Sequence, residues 1–281
     1  GHVVGHEAHR RALLADHLAK DQYACVPPVD QVFAPPPPGA RTRRLYGELP
    51  HYGFFFGPLD YRIRPDGKRW RVELRIAVEP SLGGTLELPD CQLRDQLEGP
   101  VICEGTPYED APGLEACPGS GRFEAPATAH NLRVLAAHWS TAAEAFYNRD
   151  ALRFDLPVIY DVDIVVDGLT PSPTPVDVRM PLDNSCGRTP YYQALRSGWS
   201  DSIVAHELGQ FLGLLDEYEA RSGITSAYPK TPFVGSEESR MGVSMKRDTV
   251  MLPHHHYLVL RRYHCREPDR QRYDDVLFAP P

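Results

Sequence analysis

The segment Ser200-Asp201-Ser202-Ile203-Val204-Ala205-His206-Glu207-Leu208-Gly209-Gln210-Phe211-Leu212-Gly213-Leu214-Leu215-Asp216-Glu217-Tyr218 decides how the second half of the chain is read. Ser200 or Asp201 can cap a helix, and Val204, Leu208, Phe211 and Leu215 recur at the spacing of a buried helical stripe. On the other side, positions 206 and 210 lie one turn apart. That separation lets two side chains hold one ion, with Glu207 beside them to act on a bound water. Gly213 can end the helix at positive φ, and the reversed chain then carries Asp216 back toward the same point. Side chains 206, 210 and 216 are therefore expected to converge.

Upstream of this helix, Leu132, Leu135, Trp139, Ala142 and Phe146 share one face of a second helix, which starts at Thr128 and ends near Asn148. Leu156 to Val166 alternates as a strand, with Tyr160, Val162, Ile164 and Val166 on one face and Asp161 and Asp163 on the other. Residues 176–180 read as a further extended stretch. Earlier still, the even positions of Arg71 to Glu79 are apolar and the odd ones mostly charged, as in antiparallel sheet with one wet face. Tyr61-Arg62-Ile63-Arg64 joins that strand through Pro65-Asp66-Gly67, a hairpin turn. A β-rich, sandwich-like unit is expected over 41–125. Residues 7–20 suit a surface helix, and the proline-rich tract after Cys25 makes 1–40 a leader and linker. The class expected is α+β.

With the motif in view, His206-Glu207-x-x-Gln210-x-x-Gly213-x-x-Asp216 resembles the extended zinc motif of the metzincin metallopeptidases, HExxHxxGxxH/D, and its aspartate ending resembles the snapalysin-like branch. Asp248-Thr249-Val250-Met251-Leu252 is similar to the methionine turn of that family. The resemblance implies a metzincin-like domain over 126–281, with a mixed sheet, an active-site helix and Met251 beneath the metal. It further implies Zn2+ held by residues 206, 210 and 216, and peptide hydrolysis with Glu207 as general base. The family often has a tyrosine two residues after the turn methionine. Pro253 stands there, so His254 and Tyr257 become the candidates for substrate or oxyanion contacts.

The second motif histidine is Gln210, whose amide oxygen is a weak donor where zinc prefers imidazole, so zinc should bind weakly or not at all. Three readings stay open. The site was inactivated deliberately; the chain is a natural pseudo-enzyme; or the site recruits another ligand, from Glu217, His254, His255 or His256. The plain alternative is an amphipathic helix with a solvated His-Glu pair, against which Gly213, Asp216 and Met251 weigh. A rival of another class is a non-catalytic binding module that holds a protein partner in a peptidase-like groove.

Composition narrows the rest. Among 281 residues, 30 Lys and Arg face 38 Asp and Glu, a formal charge of -8 without a basic, aromatic-rich patch, so no nucleic-acid partner is expected. No apolar run approaches the roughly 18 residues of a membrane span. The partner expected is a protein or peptide substrate. Six cysteines without close C-x2-C pairs read as disulfides, with a local bridge within Cys91, Cys103 and Cys117. They point to a secreted, effector-type protein, although Gly1-His2-Val3 opens no signal peptide. A thiolate from Cys25 or Cys91 on the metal would make the β-rich unit a latency propeptide. Asp161, Asp163 and Asp167 lack the clustered oxygens of a calcium site and read as a wet strand face.

Overall fold

The computed structural model describes residues 27–51, 55–107, 121–171, 176, 178–187, 189–217, 238–242 and 245–265. The expected helix over 7–20 lies outside them, as do Cys25 and Cys117. In chain order the elements are α1 (Val29–Val32), β1 (Arg43–His51), β2 (Phe55–Asp66), β3 (Arg69–Glu79), β4 (Thr85–Glu87), β5 (Ile102–Gly105) and β6 (Gly121–Pro126). Then follow α2 (Ala129–Arg153), β7 (Val158–Val166), β8 (Val178–Asp183), β9 (Leu195–Arg196), α3 (Asp201–Phe211) and α4 (Pro253–Arg261). The class is α+β.

β3 is the centre of a mixed, six-stranded sheet. Its alternation places Val72, Leu74, Ile76 and Val78 in the core. The hairpin partner β2 covers one edge at Arg69–Glu73 in antiparallel register, and β8 continues along the same edge, parallel, from Ile76 to Glu79. β7 runs parallel along the other edge, Trp70 opposite Val158 through Val78 opposite Val166. The hairpin turns at Gly67, φ 62°, so Pro65 stays within the strand opposite Trp70.

This topology corrects the expected division at 125/126. Strands β1 to β3 do not form a separate sandwich, because they share a sheet with β7, β8 and β9; only β4, β6 and β5 make a second, three-stranded sheet. The proline-rich tract is likewise docked rather than free where it is described. Val32 is fully buried, Trp70 Nε1 donates to Ala34 O at 2.9 Å, and Tyr257 donates to Pro27 O at 2.7 Å. Apolar residues between the prolines give the tract something to bury.

Cys91 and Cys103 form the local disulfide, with Cα atoms 6.0 Å apart. Cys91 is thus no free thiolate, and a latency role for it is set aside. Among the described residues no helix is long and apolar enough to cross a membrane.

The charged face of β3 and β7 is internally paired. Arg75, 6 % exposed, reaches Glu73 at 3.1 Å, Asp161 at 2.9 Å and Asp163 at 3.3 Å. The positive partner of these aspartates is an arginine on the neighbouring strand.

α2 begins where Thr128 caps it, its hydroxyl accepting Asn131 N–H at 3.2 Å. The helix closes the outer edge of β7 with three polar side chains. Ser140 Oγ accepts Ile164 N–H at 2.7 Å, Glu144 Oε1 accepts Val162 N–H at 3.1 Å and Asn148 Oδ1 accepts Tyr160 N–H at 2.7 Å. Four residues of helix rise about 6 Å and two of strand about 6.6 Å, so the two periodicities match over this length. Asn148 Nδ2 also donates to Tyr160 O at 3.0 Å. Asn148→Ala is expected to cost about 2 kcal/mol, because both backbone groups of Tyr160 lose their partner; a urea titration reads it.

Candidate functional site

α3 is capped by Ser200, whose hydroxyl accepts Ile203 N–H at 3.3 Å, and every residue from Asp201 to Phe211 is buried. A helix that is apolar or buried all round belongs to the interior, so the reading of a solvated His-Glu pair is overturned. Its end is a Schellman turn, with Gly213 N–H bonded to Gln210 O at 2.9 Å and Leu214 N–H to Gly209 O at 3.0 Å. Gly213 sits at φ 82°, and a Cβ there would lie 2.4 Å from Arg262 Nη1. Arg262, fully buried, donates to Leu258 O at 3.0 Å and Gly213 O at 3.1 Å. Gly213→Ala is therefore expected to cost at least about 2 kcal/mol, from left-handed strain plus displacement of that guanidinium. The shift in denaturation midpoint checks it.

Beyond the turn the three expected side chains meet. His206 Nε2 lies 3.1 Å from Asp216 Oδ1, and Gln210 Nε2 donates to the same oxygen. His206 is 0 % and Gln210 2 % exposed, so they meet in the interior. The tautomer of His206 follows from its other nitrogen. Nδ1 lies 2.8 Å from Arg240 O, a carbonyl that can only accept, so Nδ1 carries a proton; the charged ring donates from Nε2 to Asp216 Oδ1, and the neutral ring turns an Nε2 lone pair to that same point. This is the state a metal-ligating histidine needs, oriented by a backbone carbonyl. Burial opposes a charge on His206, but Asp216 and Glu207 close by raise its pKa above the ordinary value.

Gln210 Oε1 is buried without a hydrogen-bond partner. Exchanging amide oxygen and nitrogen would face two acceptors across Asp216, an arrangement a divalent cation between them would satisfy. The donor set fits a divalent cation through His206 and Asp216 fully, and through Gln210 only as a weak oxygen ligand.

The frame around this point comes from four directions. Arg240, whose carbonyl holds His206, donates from its side chain to Lys246 O at 3.1 Å and Thr249 O at 2.7 Å. Its guanidinium lies over the Phe146 ring at 4.4 Å, and burial lowers its pKa to about 10. Arg240 N–H donates to Val250 O at 2.8 Å, which ties the bend at Met251 to the residue that orients His206. Met251 is fully buried and its N–H donates to Asp150 Oδ2 at 2.7 Å. Tyr147, also on α2, donates its hydroxyl to Ala205 O. From β2, Pro58 O accepts the Tyr191 hydroxyl at 2.8 Å. Burial, then the charges of Asp216 and Glu207, holds the Tyr191 phenol well above its usual pKa.

The three consecutive histidines occupy the first turn of α4 behind Pro253 at its first position, and all are buried. His256 Nε2 donates to Met251 O at 3.0 Å, so Nδ1 accepts the Tyr160 hydroxyl at 2.7 Å; burial first, then its histidine neighbours, lowers its pKa to about 3. Tyr257, a candidate for a substrate contact, has its hydroxyl on Pro27 O. His254, the other candidate, lies 2.7 Å from Glu217 Oε2.

Among the described residues, Glu217, His254 and His255 form one group whose possible ligand atoms all lie within 4.8 Å of one another. Their ring protons follow from their other partners. His255 Nδ1 accepts Leu252 N–H at 2.8 Å, so the neutral ring carries its proton on Nε2, which donates to Glu217 Oε1 at 2.9 Å. Ser239 Oγ donates to the same oxygen. Burial alone would raise the Glu217 carboxyl, but the two imidazoles against it, His255 and His254, hold it far below the usual range. Without an ion the group is a hydrogen-bonded clamp, and its three side chains also lie within reach of a single cation.

Sequence reasoning missed Arg240, Ser239, Asp150 and Tyr191. Asp150 had a signal, since it continues the apolar stripe through Trp139 and Phe146 and is fully buried. Comparison of the chain with protein-family models, with curated proteins and with solved structures gives no match.

Proposed function

We propose that the chain is a zinc endopeptidase of metzincin-like type, working on protein or peptide substrates outside the cytoplasm, with a cation cage weakened at Gln210. The observation that carries this reading is the orientation of His206, whose Nδ1–H is held by Arg240 O so that Nε2 is the atom that meets Asp216, at 3.1 Å. His206, Gln210 and Asp216 would hold the ion. When bound, zinc would polarise the scissile carbonyl and bring a water pKa toward about 7.

The chain's own groups then have distinct tasks. Glu207, next to His206 and 7 % exposed, takes the proton of the attacking water on its carboxylate and delivers it to the leaving amine. Arg240 O holds the His206 ring through Nδ1–H. Asp216 supplies the second strong ligand, and Gly213 turns the chain so that it can. The Cys91–Cys103 disulfide supports an oxidising compartment.

One observation favours the alternative of a non-catalytic peptidase-like module. The Gln210 amide donates to Asp216, which satisfies that carboxylate without an ion. Equilibrium dialysis of zinc and hydrolysis of casein, each for the native chain and for Gln210→His, separate the two. If neither rises with histidine, the peptidase reading falls and the binding module stands.

A further inference from the structure

We propose that Glu217 is the positioning residue of the cage: through His254, His255 and Ser239 it sets Asp216 and the Arg240 carbonyl at a fixed separation on either side of His206. The inference rests on the reading of His206, Gln210 and Asp216 as a cation cage.

Two short segments frame His206, and they come from distant parts of the chain. Asp216 belongs to the segment leaving α3, and Arg240 to a segment that begins after residues 218–237. Glu217 joins the two at three levels. Its N–H donates to Met241 O at 2.8 Å, joining the residue after Asp216 to the residue after Arg240. Its Oε1 accepts the hydroxyl of Ser239, the residue before Arg240, and Met241 N–H donates back to Ser239 Oγ at 3.1 Å. The carboxylate also accepts from His254 at 2.7 Å and His255 at 2.9 Å, and His255 is locked by Leu252 N–H, directly after Met251. One buried carboxylate thus gathers the flanks of Asp216, Arg240 and Met251.

The chemistry explains why a carboxylate is needed. Three donors converge on it in a place that water does not reach, and an acceptor with two oxygens is the smallest group that satisfies them all. An amide at 217 would turn an N–H toward one of them. The expected displacement is then passed to the Arg240 carbonyl and so to His206 Nδ1, while Asp216 shifts at Nε2. Loss of partners that orient a ligand typically weakens its site about 10- to 100-fold.

The test reads His206 directly and needs no metal. In the metal-free, full-length chain, the buried imidazole N–H signals are recorded by proton NMR, that of His206 being assigned by its loss in His206→Gln. Glu217→Gln is expected to move the His206 Nδ1–H signal and to speed its exchange with water about tenfold or more, because local opening becomes easier when a buried hydrogen bond to a carboxylate is lost. Ser239→Ala removes a single donor and is expected to move it the same way by less, which keeps the test available if Glu217→Gln does not fold. Val72→Ala, a core truncation in β3, serves as the structural control: it lowers the melting temperature and should leave the signal in place. A His206 signal unmoved by the variants at 217 and 239, or moved equally by Val72→Ala, overturns the proposal. Because no ion is added and no peptide is cut, the result does not depend on how the zinc and casein measurements turn out.

Discussion

Gln210→His is expected to tighten zinc about 100- to 1,000-fold and to lift casein hydrolysis above background. Zinc sites with four protein ligands release roughly 10–16 kcal/mol on binding, so one strong ligand in place of a weak one is worth about 3 kcal/mol. The exchange is geometrically mild. Position 210 is 2 % exposed and its side-chain nitrogen already touches Asp216 Oδ1, so an imidazole there reaches the point where His206 and Asp216 meet. Adding Glu207→Gln to that variant should keep the zinc and lower the rate about 100- to 10,000-fold, the usual contribution of a placed general base. Dialysis gives the first number and initial rates the second. Zinc gained without hydrolysis would leave a cation site and remove the peptidase chemistry.

Asp150→Ala is the second large effect, an expected loss of about 3 kcal/mol that thermal unfolding would show as a fall of roughly 6–12 °C. The Arg149 side of its ion pair is half exposed and contributes little through solvent. The weight lies on the Met251 amide, 2.7 Å from Oδ2, and on the buried Arg240 whose charge Asp150 supports. Without the carboxylate the amide is a buried donor with no acceptor, and Arg240 loses the negative charge that most favours its ionised form. Asp150→Asn keeps an oxygen for Met251 and should lose about half as much. A melting temperature within about 1 °C of the native chain for Asp150→Ala would show that the bend at Met251 is held by other contacts.

Those two residues also mark where the sequence could be read. The cage was legible because its members lie within eleven positions on a helix and its turn, and helical spacing with a positive-φ glycine converts sequence directly into proximity. The alternation of β3 and β7 was legible for the same reason. Their pairing was not, since Trp70 and Val158 are brought together by a parallel crossover that no local pattern encodes. The strands before residue 126 therefore read as a unit of their own while in fact supplying the sheet's central strand. The role of Glu217 depends on Ser239 and His254, which lie far along the chain and share no periodicity with it. His254 to His256 could have been placed on a helix from Pro253 at its first position and the apolar Leu258 and Leu260 beyond. Three histidines in a row suggest a metal, whereas the proton on each ring is assigned by a carbonyl, an amide or a carboxylate.

The row of Ser140, Glu144 and Asn148 along β7 has a further effect. A strand with open amides invites a foreign strand, from a substrate, a second copy or a growing aggregate. Here that margin is occupied by side chains of the same molecule, so any extended guest must be received elsewhere, and strand addition at β7 would first have to peel α2 away.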